Sequence, residues 1–232
     1  MYKYIDRTDA GLNLAKYMES EVISGQYIIC AIPNGGIPIA ISLARELGAG
    51  RIYVYLSRKI QFPWTTEAGF GAITIDDDVF YNDAYIHSYR LSQLDIQAQT
   101  KKARDEIKTR EKLFASYLLP QNLEKRKLVL IDDGLASGIT MKTTLISIKK
   151  RNSGGIIIAV PTAHKQTVLE FENIVAPSLG IPLKVLSPDI REGYSFAVAD
   201  AYKFWKDEIT KDAIRMLDSY NIQFFGNETI SA

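Results

Sequence analysis

The chain has 232 residues, with 28 Lys and Arg side chains against 27 Asp and Glu, a formal net charge of +1 and a single cysteine, Cys30. The balanced charge excludes the broad basic field that non-specific nucleic-acid binding requires. One cysteine excludes a disulfide framework and a cysteine-based zinc cluster. With no signal-like N-terminus and no membrane-length apolar run, we expect a cytoplasmic protein without nucleic-acid or membrane partners.

Apolar runs alternate with amphipathic stretches, which is typical of βαβ units and a mostly parallel sheet. In chain order, the pattern predicts a helix at 8–20, a strand at Tyr27–Ile32, a helix at Ile37–Leu47, a strand at Arg51–Leu56, a hairpin of Phe70–Ile75 and Val79–Tyr81, a long charged helix at Leu91–Tyr117, a strand at Lys127–Ile131, a helix at Ile139–Arg151, a strand at Gly155–Val160, a helix at Lys165–Glu172, a strand at Pro182–Leu186 and a C-terminal helix at Asp207–Tyr220. The charges of the long helix are most simply a solvated face with i,i+4 pairs. We predict a single α/β domain over residues 1–232.

The segment from Leu128 to Thr140 is the most informative part of the chain. A buried-type strand ends at two adjacent carboxylates, Asp132 and Asp133, and a turn rich in small residues then begins a helix. Ligands of open α/β sheets bind at the carboxyl ends of strands, where backbone N–H groups and a helix N-terminus attract anions. Two carboxylates beside such a cradle suit the hydroxyls of a ribose or a hydrated magnesium ion, so the segment predicts a ligand like ribose 5-phosphate. The alternative is an ordinary strand–turn–helix with surface acids.

This segment resembles the PRPP-binding motif of type I phosphoribosyltransferases, where PRPP is the activated sugar 5-phosphoribosyl 1-diphosphate. The resemblance implies an open, mostly parallel sheet flanked by helices, with a small variable hood. It implies that Asp132 and Asp133 hold the ribose hydroxyls as catalytic residues. The residues implied to bind the 5-phosphate are Gly134, Leu135, Ala136, Ser137, Gly138 and Thr140.

A turn after the first strand resembles the pyrophosphate loop of the same family, and it consists of Pro33, Asn34, Gly35 and Gly36. Uncharacterised bacterial and archaeal members usually read Pro-Arg-Gly-Gly there. The resemblance implies that residues 34–36 bind pyrophosphate, with Asn34 replacing a cation. Alone, such a turn is better explained as a simple chain reversal, and the downstream motif is what favours a binding role.

The pair Arg58-Lys59 after the strand Arg51–Leu56, together with residues 65–72, resembles the Arg-Lys pair and mobile loop of the family. Two cations would neutralise a leaving pyrophosphate, and a closing loop would exclude water. We therefore expect both side chains to bind pyrophosphate and Lys59 to act in catalysis. The alternative is a solvated basic pair beside a surface loop. Residues Asp6 to Ala15 and those from Phe196 onward also resemble the subgroup.

Base recognition in the family comes from the hood, which we place at about 177–206 together with the N-terminal segment. Tyr194 and Phe196 are the candidate stacking residues, although packing in a small core or a dimer face explains each one, taken singly, more readily. Members that use 6-oxopurines carry an acid at the position of Ala136. The alanine disfavours those bases and leaves adenine, pyrimidines and other nucleophiles open.

The sequence thus predicts a glycosyltransferase of nucleotide metabolism that transfers 5-phosphoribosyl from PRPP, bound with Mg²⁺, to an unidentified base. We also predict a homodimer, and no metal site built from protein side chains, because the two histidines have no spaced partner. The main alternative is a catalytically weak module that binds PRPP or a nucleotide and regulates a partner. A phosphate-ester hydrolase using the acidic pair is a weaker reading.

Overall fold

The structure is a computed structural model that describes residues 2–18, 27–66, 68–193 and 196–225. A parallel sheet of five strands lies at its centre, as the alternation of apolar runs and helices predicted. Its strands are β1 (Tyr27–Ala31), β2 (Ile52–Val54), β6 (Lys127–Ile131), β7 (Gly155–Ala159) and β9 (Leu183–Leu186). They lie in the order β2-β1-β6-β7-β9, which puts β6 in the middle of the sheet with β1 beside it.

Two smaller sheets lie beside the central one. The first is antiparallel and consists of β3 (Ser57–Gln61), β4 (Gly69–Thr74) and β5 (Val79–Tyr81), and the second pairs β8 (Thr162–His164) with β10 (Asp189–Arg191). The hairpin at Asp76–Asp78 is as predicted, because β4 and β5 pair antiparallel across it. The expectation for residues 65–72 needs correction, since Gly69–Ala72 belong to the buried strand β4 rather than to a loop.

Helices cover both faces of the central sheet. They are α1 (Arg7–Met18), α2 (Gly36–Glu46), α3 (Asp83–Ser88), α4 (Gln93–Leu113), α5 (Ile139–Lys149), α6 (Lys165–Glu170), α7 (Ala176–Leu179) and α8 (Thr210–Phe225), with short 3₁₀ or π turns at Ala115–Tyr117, Phe171–Val175 and Val198–Ala201. The C-terminal helix begins three residues later than predicted. In the described part of the chain, every helix is too short or too polar to cross a membrane.

The alternation of side chains along β6 divides the interior into two cores. Val129 and Ile131 face the core that α1, α2, α4 and α8 complete, whereas Leu128 and Leu130 face the core completed by α5 and the segment after β8. All four side chains are fully buried. A strand buried on both faces must be apolar throughout, so the first polar residues after it, Asp132 and its neighbour, emerge where the strand leaves the sheet.

Two segments of the predicted hood, one near Tyr4 and one near Ala201, are hydrogen-bonded to each other. The amides of Lys3 and Tyr4 each donate to the Ala201 carbonyl at 2.9 Å, and Phe204 N donates to Ile5 O at 2.9 Å. Residues Leu183–Leu186, which lie inside the predicted hood range, are instead the edge strand β9 of the central sheet. The small unit beside the sheet edge therefore consists of the N-terminal segment and residues beyond β9.

Candidate functional site

The acid pair lies at the end of the central strand β6, as predicted. Both side chains are partly buried, and the Asp133 amide donates to Asp132 Oδ1 at 2.8 Å, which orients the first carboxylate toward the turn. A Cβ added at Gly35 would lie 2.0 Å from Asp133 Oδ2. Only glycine fits there, so the turn after β1 touches the acid pair and the two predicted motifs form one site.

The acid pair is electrostatically coupled. Burial and the neighbouring Asp133 charge raise the pKa of Asp132 well above its usual range, with Arg7 and Lys59 opposing the rise. Burial also raises the pKa of Asp133, and Arg7 offsets part of that effect. Two like charges in a poorly solvated site raise the free energy of the ionised pair. A ligand whose hydroxyls donate hydrogen bonds to the carboxylates, or one that brings a cation, would lower it.

Arg7, at the start of α1, is the residue that holds the pair in place, and the sequence assigned it no role. Its Nε and Nη2 both donate to Asp133 Oδ2, at 3.0 and 2.7 Å, and its Nη1 donates to the Lys206 carbonyl at 2.7 Å. The guanidinium lies 3.9 Å from the centroid of the Trp205 ring. The Tyr202 hydroxyl adds a bond to the Asp133 carbonyl at 2.6 Å. Asp133 is therefore held in place by Arg7 of α1 and by Tyr202, which lies 69 residues after it.

The predicted phosphate loop leads from the acid pair into α5, and β8 supports it. The structure corrects the phosphate-binding role predicted for Leu135. Its N–H donates to Thr162 O and its carbonyl accepts from His164 N, both at 2.9 Å, and its side chain is buried. Both of its backbone polar groups are therefore taken, and it anchors the loop instead of binding a phosphate. A Cβ at Gly134 would meet Val198 at 2.5 Å, so that glycine allows close packing.

The remaining loop positions fit an anion. Ser137 is exposed and Thr140 is partly exposed, and both stand at the N-terminus of the 11-residue helix α5. The Ala136 carbonyl accepts a hydrogen bond from the Thr167 hydroxyl, which fixes the loop to α6. Hydroxyl donors, backbone amides and the positive end of the helix converge here, as an anion site requires.

Gly138 should be intolerant of substitution, because it has φ +70° and a Cβ there would lie 2.6 Å from Phe171 Cε2. We expect Gly138→Ala to lower the free energy of unfolding by about 2–4 kcal/mol, from left-handed strain and overpacking together. Gly180→Ala is the matched control, since Gly180 has φ +69° and open space around its Cα. It should cost only the strain, about 1–2 kcal/mol. Urea unfolding measures both, and equal losses would contradict the packing argument.

The turn after β1 offers fewer donors than its sequence suggests. The Gly36 amide already donates to Ile32 O at 3.1 Å, and a Cβ at Gly36 would lie 2.4 Å from Ile131 O. Gly36 therefore serves close approach to β6 rather than supplying a free N–H. Asn34 Nδ2 donates to Glu208 O at 2.7 Å, and its Oδ1 accepts from Arg110 Nη2 at 2.6 Å. The asparagine is thus fixed between α4 and the segment before α8.

The basic pair is placed differently from the prediction, because Arg58 and Lys59 belong to strand β3 rather than to a loop after a strand. Neighbouring strand residues point to opposite sides. The charge of Lys59 acts on Asp132, whereas Arg58 Nε contacts Glu106 Oε2 of α4 at 2.6 Å. Lys59 is thus near enough for its charge to oppose the rise in the pKa of Asp132, and Arg58 is bound to the helix.

Of the two candidate base-stacking residues, Tyr194 lies outside the described residues. Phe196 is partly buried, with its ring centroid 5.8 Å from that of His164. The backbone N–H of His164, at the end of β8, donates to the Leu135 carbonyl of the phosphate loop. The His164 Nε2 lies 2.9 Å from the Gly193 carbonyl. The phenylalanine is therefore at the same sheet edge as the phosphate loop, and its role stays a prediction.

Comparison with known proteins assigns the chain to a family. A model of the phosphoribosyl transferase domain matches residues 5–182, and the chain belongs to that family. Two Mycobacterium tuberculosis proteins, from strains CDC 1551 and H37Rv and each named "Putative phosphoribosyl transferase", are 26% identical over 225 residues, which is 97% of this chain and 48% of theirs. The chain thus spans about half the length of the curated relatives it matches.

The fold is also found among solved structures. The crystal structure of TT1426 from Thermus thermophilus is similar with a TM-score of 0.67 and 23% identity, covering 95% of this chain and 99% of that one. The predicted fold class is confirmed: this is the α/β fold of type I phosphoribosyltransferases, with a mostly parallel sheet flanked by helices. The family resemblance drawn from the motifs is confirmed as well.

Proposed function

We propose that the protein transfers the 5-phosphoribosyl group of PRPP to a nitrogen nucleophile and releases pyrophosphate. One observation carries the proposal: the Asp132-Asp133 pair, the N-terminus of α5 and the turn at Gly35 meet at one edge of the sheet. Gly35 is so close to Asp133 that a Cβ would lie 2.0 Å from its carboxylate. PRPP has groups that match these three parts in order: a 5-phosphate for the N-terminus of α5, ribose hydroxyls for the acid pair, and a diphosphate for the turn.

The sugar would lie between the acid pair and the phosphate loop. Asp132 and the second carboxylate accept bonds from the ribose 2′ and 3′ hydroxyls, and Arg7 keeps Asp133 in position through its two bonds to Oδ2. The 5-phosphate would take the amides of residues 136–140 and the hydroxyls of Ser137 and Thr140. These donors are fixed before the ligand arrives, which lowers the entropic cost of binding.

The reaction breaks the bond between C1 of the ribose and the diphosphate oxygen, a nitrogen lone pair forms the new bond to C1, and the nitrogen releases its proton to solvent. The bonding electrons leave with pyrophosphate, so negative charge grows on the leaving group and positive charge grows at C1. Lys59, whose charge opposes the rise in the pKa of Asp132, would stabilise the leaving group, and the carboxylates would stabilise the sugar. The protein contributes position and electrostatics rather than a covalent intermediate.

A magnesium ion would enter this site with its substrate. Carboxylate oxygens are the ligands that Mg²⁺ prefers, and Asp132, whose Oδ1 accepts one backbone bond, retains further acceptor positions. The donor set therefore fits a hydrated ion that would bind together with PRPP. When bound, such an ion would neutralise charge on the diphosphate.

The acceptor would lie on the hood side, near Phe196. Ala136 offers no acidic group to a purine ring, so we propose adenine, a pyrimidine or another nitrogen nucleophile rather than a 6-oxopurine. This part of the proposal rests on the family resemblance and on the position of Phe196 beside His164.

The test is a pair of measurements on the wild-type chain with Mg²⁺: calorimetric binding of PRPP and ribose 5-phosphate, and pyrophosphate release across a panel of bases. We expect both ligands to bind and one class of base to trigger release. Binding should also raise the melting temperature, because the ligands bind only the folded protein. A chain that binds neither ligand would overturn the proposal.

The regulatory alternative is favoured by one observation, the absence of a cation at position 34. Asn34 is engaged with Glu208 and Arg110, so the turn itself carries no positive side chain toward a leaving group. A module that only senses PRPP needs the sugar and phosphate contacts but not leaving-group stabilisation. Tight PRPP binding with no release for any base would favour this alternative.

A further inference from the structure

A partly buried cation approaches the turn after β1 from a helix that the site motifs do not include. Arg110, near the end of α4, donates from Nη2 to Asn34 Oδ1 at 2.6 Å, and its guanidinium lies 5.8 Å from the centroid of the Phe114 ring. Asn34 Nδ2 in turn donates to the Glu208 carbonyl at 2.7 Å. The two ends of the amide are therefore fixed, and Oδ1 is aimed at the guanidinium.

The guanidinium of Arg110 has a hydrogen-bond donor that no described residue accepts. Its Nε is buried and has no hydrogen-bond partner among the described residues. A buried N–H without a partner costs free energy, and a guanidinium offers five donors of which an anion can accept several. The position therefore favours an acceptor that the protein itself does not supply.

A second cation stands beside the first. Burial, together with the nearby charge of Arg58 in β3, lowers the pKa of Arg110 to about 10. One carboxylate, Glu106, contacts Arg58 Nε at 2.6 Å and sits one helical turn before Arg110. Two guanidinium groups and one carboxylate leave a net positive charge, which an anion next to the turn would neutralise.

We propose that Arg110 is a binding residue for the diphosphate group of PRPP, and that Asn34 is the positioning residue that holds it. The inference rests on the proposed function and deepens it, because it supplies the cation that the Pro33–Gly36 turn lacks. In this arrangement the positive charge comes from α4 and reaches the turn through the asparagine amide. Arg58 contributes from β3, and Lys59 acts at the acid pair.

The competing explanation is that Arg110 only fastens α4 to the turn. That role would lower stability on substitution and would affect all ligands of the site alike. A diphosphate-binding role instead separates the two ends of PRPP, because ribose 5-phosphate has the sugar and 5-phosphate but no diphosphate. The difference between these two ligands is therefore the readout.

The experiment compares calorimetric binding of pyrophosphate and of ribose 5-phosphate, each with Mg²⁺, to wild type, Arg110→Met, Arg110→Lys and Asn34→Ala. We expect Arg110→Met to weaken pyrophosphate binding by about 10- to 100-fold, the size of one or two charge-assisted hydrogen bonds, and to leave ribose 5-phosphate within about twofold. Arg110→Lys should recover part of the loss, and Asn34→Ala should give a smaller one. Lys112→Met, an exposed cation on the same helix, is the control and should change neither ligand.

The outcomes separate the two proposals. Equal losses for both ligands in Arg110→Met, or unchanged pyrophosphate binding in a folded variant, would overturn the role of Arg110 while PRPP binding by wild type still stands. Wild type that binds pyrophosphate through Arg110 but no ribose 5-phosphate would instead overturn the proposed function. If Arg110→Met fails to fold, Arg110→Lys and Asn34→Ala carry the same comparison.

Discussion

Asp132→Asn and Asp133→Asn are expected to weaken PRPP binding alike and to change stability in opposite directions. Each removes a charged acceptor of a ribose hydroxyl, and the loss of one charge-assisted hydrogen bond corresponds to about 10- to 100-fold in affinity. The structure distinguishes the two acids by their neighbours. Arg7 donates two bonds to Asp133, whereas Asp132 receives a backbone amide and faces a like charge.

The stability of Asp133→Asn should fall, because the buried Arg7 guanidinium loses the nearer of its two anionic partners, the other being Glu208 at 3.7 Å. The Arg7 side chain is 7% exposed and that of Asp133 is 18% exposed, so water compensates little. We expect the free energy of unfolding to drop by about 2–4 kcal/mol, close to the cost of breaking a buried ion pair. Asp132→Asn removes the like charge and should be at least as stable as wild type at neutral pH.

The pH dependence follows from the same coupling. The folded state holds the Asp132 proton more tightly than the unfolded chain does, because its pKa is raised by burial and by Asp133. Its contribution to stability is therefore fully present below the ordinary pKa of an aspartate and is lost as the pH rises through the raised value. Asp132→Asn should flatten this decline in urea unfolding measured from acidic to neutral pH.

The matched control is Asp200→Asn, which removes an exposed carboxylate from the neighbouring 3₁₀ turn. It should alter neither PRPP affinity nor the pH profile. If Asp132→Asn destabilises the chain as strongly as Asp133→Asn does, the assignment of different electrostatic neighbours to the two acids is wrong.

The local parts of the site could be predicted because their signals are local. The strand Lys127–Ile131 has the predicted bounds, since a strand buried on both faces is apolar throughout and the polar residues mark its end. The same holds for the helix that begins at Ile139 after Gly138, a residue whose φ of +70° few side chains tolerate. Strand, carboxylates and loop are contiguous, so their proximity needs no tertiary information.

The contacts that complete the site are between distant positions and leave no trace in periodicity. Arg7 is 126 positions from Asp133, and the charged helix α4 was expected to present only a solvated face. Part of that expectation holds, because Lys101 and Asp105 form an exposed i,i+4 pair. Arg110 instead turns toward the core side of the helix, and only the tertiary fold decides which charges of such a helix are buried.

Arg7→Met is expected to be the most disruptive single substitution of a side chain in the site. It leaves Asp133 and Glu208, whose side chain is 6% exposed, without a guanidinium that lies 2.7 Å from the first and 3.7 Å from the second. Removing one partner of a buried pair costs about 3–5 kcal/mol. For a chain of this length that corresponds to a fall in melting temperature on the order of 10 °C.

The methionine has a similar length but loses the cation–π contact with Trp205, so the loss reports on charge, hydrogen bonds and that contact together. Arg7→Lys keeps the charge but not the planar fork that reaches both Asp133 Oδ2 and the Lys206 carbonyl, and it should recover only part of the stability. Arg215→Met removes an exposed arginine of α8 and should leave the melting temperature near that of wild type, because its pair with Asp212 is solvated.

The same variants test whether Arg7 couples the ligand site to the hood. Arg7 joins Asp133 to residues 205–208, and the Tyr202 hydroxyl adds a second link at 2.6 Å. Binding of PRPP at Asp133 should then protect the segment around Trp205 from hydrogen exchange in wild type. This protection should vanish in Arg7→Met at a saturating concentration of PRPP. Equal protection in both proteins would show that the hood is ordered independently of the acid pair, and Arg7 would then be a local support of Asp133 alone.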